Sequence, residues 1–344
     1  MTLRRLALVA ACLAAPAAAQ QQPVTAPPHF AKLAHTYSIV AIDSATGDLG
    51  VAVQSKFPNV GGIVPWAKAG VGAVATQSLG NTAYGELGLD LLARGATAEE
   101  ALRIVMRTDT MLADRQVGIV DAAGRAASFS GASTFDWSGG RVGAPSGRGS
   151  LAGGKGAVIT GRTYAAQANI MVSDRTVANM AEAFERSRAG SLAERLLEAL
   201  KAGQAGGGDK RGMQSAALLV VRKGGGYLGA NDRLVGIRVY DAPEPIAELE
   251  RLLQLHILHF FPSREADLVP LDAARVAQLE PILRAEPAGQ AEKWLATPQG
   301  RATPAFLEAL RNFMYWENYD VRVRMDGRID RVVLADILAK RAPR

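Results

Sequence analysis

Three hydroxyl side chains stand at the ends of two apolar, β-branched runs: Thr36 and Ser38 in TYSIVAID, and Ser55 in LGVAVQS. A serine or threonine oxygen is a weak nucleophile until a neighbouring base takes its proton, so the chemistry to look for is base-assisted attack on a carbonyl. More polar residues sit at the mouths of later apolar runs. Thr76 and Gln77 close VGAVATQS, and Gln167 and Asn169 lie within AAQANIMVS. The stretch GGGDKRGMQS, Gly206 to Ser215, places Asp209, Arg211 and Gln214 just before a buried strand. A carboxylate, cations and an amide in such a place can hold a polar substrate by charge and hydrogen bond, although a solvated helix-to-strand turn has the same composition. A second cluster, GANDR at Gly229 to Arg233, is either a plain turn or a place from which Asn231 and Asp232 orient the first.

Other chemistries have less support. Cys12 is the only cysteine, and it lies in an N-terminal segment with the marks of a signal, so disulfides, thiol nucleophiles and thiolate metal sites are excluded from the mature chain. His256 and His259 have a spacing that puts both on one helix face, but no third ligand stands near them among four histidines in all, so no metal is expected. GSLAGGKG, Gly149 to Gly156, nearly spells a phosphate-binding loop; its last position is glycine where the magnesium-holding hydroxyl belongs, and no nucleotide or other cofactor is expected. The basic excess is mild and scattered and aromatics make up 6% of the chain, which gives nucleic-acid binding little support.

The elements that must position these residues follow from their patterns. Thr36 to Ser55 reads as a hairpin turning on Ala45-Thr46-Gly47-Asp48, with Gly47 at positive φ and Asp43 and Asp48 bonded to the turn's own backbone. VGAVATQS is a buried strand, and Thr82–Arg94 and Thr97–Arg107 are helical in period, with Thr97 and Glu100 at capping-box spacing. Gln116 to Gly131 is a second hairpin, turning on Ala123-Gly124, and Ser138 to Arg162 is a glycine-rich loop. A strand at Ala165–Ser173 leads into helices capped by Asp174 and Ser191, then a strand pair at Ser215–Arg222 and Leu234–Tyr240, and a helix beginning at Pro245. Hairpin-linked strands separated by helix pairs point to an α+β protein, two largely antiparallel sheets stacked together with helix pairs outside, and argue against a doubly wound parallel sheet.

The two ends of the chain differ from its middle. Residues 1–19 combine Arg4 and Arg5, a short apolar run and Ala17-Ala18-Ala19, the order of a secretory signal peptide, and the run is too short to span a bilayer. A lipoprotein site at Cys12 is the rival reading. Removing the signal lowers the formal charge from +6 to +4. Residues 20–35 read as a leader or linker, and no later segment approaches a membrane-spanning length, so a periplasmic or secreted protein is expected. The change in composition near Glu265 separates a main domain, 36–264, from a small helical C-terminal domain, 265–344.

At TYSIVAID-x-x-TGDLGVAVQSKF, VPWAKAGVGAVATQS, YAAQANIM, GGDKRGMQSAALLVV and GGGYLGANDR the chain resembles an uncharacterised bacterial family, a domain of unknown function with an N-terminal-nucleophile (Ntn) hydrolase-like fold. The resemblance covers about Thr36 to His256 and implies a four-layer αββα sandwich. In well-studied Ntn hydrolases a processed N-terminal Ser, Thr or Cys opens the first strand, and its own amine is the base. The equivalent position here is Thr36, and alternation puts Ser38 on the same face. Signal cleavage after Ala19 leaves sixteen residues ahead of Thr36, so either the His35–Thr36 bond is also cut or the fold lacks this chemistry. Ala168 stands where the family usually has glycine. WENYDVRVRMDGRIDRVVLADIL, Trp316 to Leu338, is similar to a module often appended to this family and inferred to bind peptidoglycan; a helical appendage that packs on the main domain or a second subunit is the alternative.

Two functions are therefore expected. One is an exported Ntn-type amidohydrolase for a small amide or peptide, cell-wall fragments being one candidate class. In it Thr36 or Ser38 is the nucleophile, and Ser55, Thr76, Gln77, Gln167, Asn169, Asp209, Arg211, Gln214, Asn231 and Asp232 line the pocket. The other is a non-catalytic envelope- or ligand-binding protein. The sequence admits a homo-oligomer in either case.

Overall fold

Every residue of Thr36–Ile42 (β1) and Leu49–Ser55 (β2) is buried, so neither strand has a solvent face. Tyr37, Ile39, Ala41 and Ala52 point into one hydrophobic cluster, and Val40, Ile42, Val51 and Val53 into another. Burial on both faces is why these strands read as continuous apolar runs and not as alternating ones. Their register runs from Thr36↔Ser55 to Ile42↔Leu49. At the connecting turn Gly47 takes φ 76° and the Asp43 carboxylate accepts from the Ala45 N–H at 2.9 Å. Asp48 departs from expectation. Its carboxylate leaves the turn for Arg222 of a neighbouring strand, at 2.6 and 2.7 Å, because a bidentate guanidinium is a stronger partner than a turn N–H.

The computed structural model describes residues 36–107, 109–135, 137–143, 161–188, 190–285 and 299–341; residues 1–35, where a signal and a leader are expected, and the Gly149–Gly156 stretch lie outside them. β1 and β2 are the centre of a six-stranded sheet completed by Gly139–Val142 (β7), Tyr164–Ala168 (β9), Ser215–Val221 (β10) and Arg233–Val239 (β11), in the order β11-β10-β2-β1-β9-β7. Pro65–Lys68 (β3), Gly72–Ser78 (β4), Arg115–Asp121 (β5), Arg125–Ser130 (β6) and Gly161–Arg162 (β8) make a five-stranded sheet in the order β3-β4-β5-β6-β8. All pairings within both sheets are antiparallel. The protein is thus a mixed α+β fold with eight helices among the described residues.

Helices Ala83–Ala93 (α1) and Ala98–Met106 (α2) share a core with β4, β5 and β6. The α2 capping box forms as the spacing predicts: the Thr97 hydroxyl accepts from the Glu100 N–H at 3.2 Å, and the Glu100 carboxylate from the Thr97 N–H at 2.8 Å. Arg175–Arg186 (α3), Leu192–Ala205 (α4) and Pro245–Phe260 (α5) share a core with the six-stranded sheet. A third cluster, built from Val40, Val51, Val53, Ala73, Ala75 and Val120, joins one sheet to the other.

Three boundaries differ from the sequence reading. The stretch from Ser138 opens with β7 in place of a loop; its glycines lie against β9 with little apolar bulk of their own, which hid the strand. β9 stops at Ala168, because Ile170 turns to φ 57° while the Asn169 N–H goes back to the Thr36 carbonyl at 3.1 Å. Asp174 makes no side-chain cap; the Ser173 hydroxyl accepts from the Arg175 N–H at 3.3 Å instead.

The C-terminal elements are Leu268–Pro270 (β12), Ala273–Ala285 (α6), Pro304–Trp316 (α7), Arg328–Asp330 (β13) and Arg331–Arg341 (α8). They enclose their own cluster around Phe306, Phe313, Tyr319 and Ile337, which Leu258 of α5 also enters. The two-stranded β12–β13 sheet has no counterpart in the sequence reading, which saw only helix there. Buried Arg322 pairs with Asp330 and donates to the Ile257 carbonyl at 2.7 Å, so α5 is fastened to this region. No helix among the described residues is long and apolar enough to cross a membrane.

Candidate functional site

At one end of the stacked sheets, polar residues replace the aliphatic ones. Thr36 begins β1, Ser55 ends β2, Gln77 lies at the end of β4, Gln116 at the start of β5, Ser130 ends β6, Asn169 follows β9 and Ser215 begins β10. Antiparallel register brings these termini together: Thr36↔Ser55↔Ser215 in one sheet, and Gln77↔Gln116↔Ser130 in the other. The opposite end carries Ile42, Leu49 and Val221. All of these polar residues are buried, so their hydrogen bonds must be made within the protein. The Ser215 hydroxyl turns away, donating to the Phe57 carbonyl and accepting from the Val60 N–H, and the others bond to one another.

They form one connected network. The Thr36 hydroxyl donates to Ser55 Oγ at 3.1 Å. The Thr36 carbonyl accepts from Gln77 Nε2 at 3.1 Å and from the Asn169 side chain at 3.4 Å, besides the Asn169 N–H. Gln116 Oε1 accepts from Gln77 Nε2 at 2.6 Å and Asn169 Nδ2 at 2.9 Å; its Nε2 donates to Ser130 Oγ at 2.6 Å and the Ala168 carbonyl at 2.9 Å. Ser38 donates to Gln77 Oε1 and accepts from Gln167 Nε2, each at 2.6 Å. Its hydroxyl is therefore satisfied in both directions and sealed from solvent, whereas Thr36 stands at the strand terminus. Gly118 is what lets Gln167 reach across: a Cβ there would come within 2.1 Å of the amide oxygen.

Asp209 flanks the network. Met171, two residues past Asn169, bridges to it, and its carboxylate accepts from the Lys56 N–H at 3.3 Å, next to Ser55. Arg211 closes on it with its backbone N–H and guanidinium, both at 2.9 Å. Burial, followed by the Asp209 charge, pushes the Tyr37 phenol well above its ordinary value. The uncharged network thus meets one carboxylate, already paired with Arg211.

On the helix side of the same end, Asp109 fastens the β4–α1 connection to β5. Burial alone would raise its carboxyl, but hydrogen bonds from Arg115, Tyr84, the Met111 N–H and Asn81 outweigh this and hold it down at about 2. A depressed carboxylate stabilises the fold above its unfolded pKa, and that contribution disappears as pH falls through the folded value. Asp109→Asn is therefore expected to lose about 2 kcal/mol at neutral pH, with variant and parent converging between about pH 4 and pH 2. Urea denaturation across that range checks it; a constant gap down to pH 2 refutes it.

Of the residues singled out from sequence, Thr36, Ser38, Ser55, Gln77, Gln167 and Asn169 lie in the network or bond directly to it, with Asp209 and Arg211 beside it. The Gln214 N–H donates to the Ser55 carbonyl at 3.1 Å, which places it at the same mouth. Thr76 is not in the network: alternation turns it to the helix side, where it donates to the Asn81 carbonyl at 3.1 Å. Asn231 and Asp232 stand before β11, at the Leu49 end, about 20 Å away along seven-residue strands. They do not join the site. Gln116 was missed, although a polar residue at a strand mouth is the signal that found Gln77. His256 and His259 bond separately, to the Leu234 carbonyl at 2.8 Å and the Asn318 carbonyl at 2.9 Å.

Two stacked antiparallel sheets with a hydroxyl-and-amide network at one end define the class of protein. The chain belongs to a family of unknown function, DUF1028, which it matches over residues 36–147 and 143–249. It is also similar to the crystal structure of protein SPO2555 from Silicibacter pomeroyi, assigned to the same family, with 29% identity and a TM-score of 0.55, over 65% of this chain and 86% of that one. No protein of curated function matches the chain.

Proposed function

We propose that the protein is an exported amidohydrolase of the Ntn type, its fold the four-layer αββα sandwich of those enzymes, with Thr36 as nucleophile. The carrying observation is that the network around Thr36 holds only hydroxyls and amides, and the nearest carboxylate, Asp209, is already paired with Arg211. No side chain in the network can take the Thr36 proton. A freed α-amine can, because its ordinary pKa lies near neutrality. Thr36 Oγ1 then bonds to the carbonyl carbon of a small amide or peptide. The amine takes the hydroxyl proton and passes it to the departing amine as the C–N bond breaks, and water hydrolyses the ester that remains.

This mechanism requires cleavage between His35 and Thr36, after residues 1–19 have served as signal peptide and 20–35 as leader. Intact mass of the protein from its native compartment is expected to match a chain beginning at Thr36. A chain beginning at Gln20 that still hydrolyses amides refutes it. Sealing of Ser38 and Gln77 inside the fold favours the second reading, a non-catalytic binding protein whose network is structural. Residues 265–344 are proposed as a peptidoglycan-binding unit, supported by Trp316 and Tyr315, both large and solvent-exposed on α7. The full chain is expected to co-sediment with purified sacculi and Trp316→Ala to weaken this; a chain that stays in the supernatant leaves the region a packing role.

A further inference from the structure

The stacked sheets gape along one side, where each ends in a strand with a single partner, β3 in one and β11 in the other. Between these edges lies a cavity of about 860 Å3. Leu219 and Val221 give it apolar lining. Trp66 stands on the β3 side, held by its Nε1 donating to the Ile63 carbonyl at 2.8 Å and by its ring lying on Gly85, where a Cβ would meet it at 2.1 Å. The cavity's charge comes from Lys68, Arg233 and Arg238, whose side chains form no ion pair or hydrogen bond among the described residues. Arg222, Arg251, Arg264 and Arg328, by contrast, all have carboxylate partners. Asp232 is the lining's carboxylate, and one of its oxygens accepts from the Gly224 N–H at 2.9 Å. Asn231 accepts from the Arg233 N–H at 2.9 Å, which commits its oxygen and leaves its amide hydrogens as donors.

Cations on edge strands also discourage strand addition. That role needs only charge along an exposed edge. Here the charges of two separate sheets share a cavity that has an apolar lining, and its volume lies in the range of small-molecule sites. We propose that this cavity binds a small organic anion with two or more negative charges on an apolar body. It is distinct from the Thr36 network, no residue of which lines it.

Calorimetric titration of the full chain with benzene-1,3,5-tricarboxylate at neutral pH and low salt tests this. Saturable one-to-one binding is expected, weakening as salt is raised and falling about tenfold or more in an Arg233→Gln/Arg238→Gln double variant. Thr36→Ala, outside the cavity, is expected to bind as the parent does. Absence of saturable heat, or equal affinity in a double variant with an unchanged melting temperature, overturns the proposal. Should that variant fail to fold, Lys68→Gln at the exposed end of β3 carries the test: a loss of about threefold supports the site, and unchanged affinity overturns it.

Discussion

Thr36→Ala is expected to reduce amide hydrolysis to background, a loss of about 10^4-fold or more, while Thr36→Ser keeps a measurable fraction. The asymmetry follows from the proposed chemistry. Alanine removes the oxygen that bonds to the carbonyl carbon, and serine keeps it but loses the methyl group that restricts χ1. The fold is expected to survive either change. Alanine at 36 removes one hydroxyl hydrogen bond to Ser55, about 1 kcal/mol, and leaves the backbone carbonyl with its Gln77 and Asn169 donors. Melting temperature and turnover therefore separate. Turnover retained in Thr36→Ala sinks the nucleophile assignment, and a sharp fall in melting temperature shifts the network toward a purely structural role.

Local chemistry made some of this fold legible in advance. Thr97 with Glu100, the turn at Gly47 and the β-branched runs of β1 and β2 each declare themselves within a few residues. Strand mouths were legible too, since Gln77, Asn169 and Asp209 are polar residues beside apolar runs. Long-range register was not. Gly206–Ser215 and Gly229–Arg233 have similar compositions, yet pairing of β10 with β2 puts the first at Ser55 and that of β10 with β11 puts the second at the opposite end. Gln116 escaped notice because its worth depends on Gln77 and Asn169 approaching it from two directions, and neither is near it in sequence. β7 is hidden in the sequence because glycines at a sheet edge carry no hydrophobic signature.

Gln116 and Gln54 provide the sharpest test of whether the network is a built feature. Both glutamines are completely buried in the sheets. Gln116 connects Gln77, Asn169, Ser130 and the Ala168 carbonyl, whereas neither polar atom of the Gln54 side chain has a partner among the described residues. Gln116→Leu keeps the volume but strips two donors and three acceptors, the Gly139 carbonyl at 3.5 Å being the weakest, of their partner, and buried groups left unpaired cost about 1–3 kcal/mol each. Gln77 Nε2 retains the Thr36 carbonyl, so the expected loss is about 3–5 kcal/mol and not the full sum. Gln54→Leu removes an amide already desolvated without a partner, so its expected effect is near zero or stabilising by about 1 kcal/mol. Urea denaturation of the two variants should give changes of different size and, where Gln54→Leu stabilises, opposite sign. Equal losses would mean that hydrogen bonding to Gln116 contributes nothing beyond packing. If the losses differ as expected, the donors that fix the Thr36 carbonyl are held by Gln116, and Gln116→Leu should also lower turnover at temperatures where the variant remains folded.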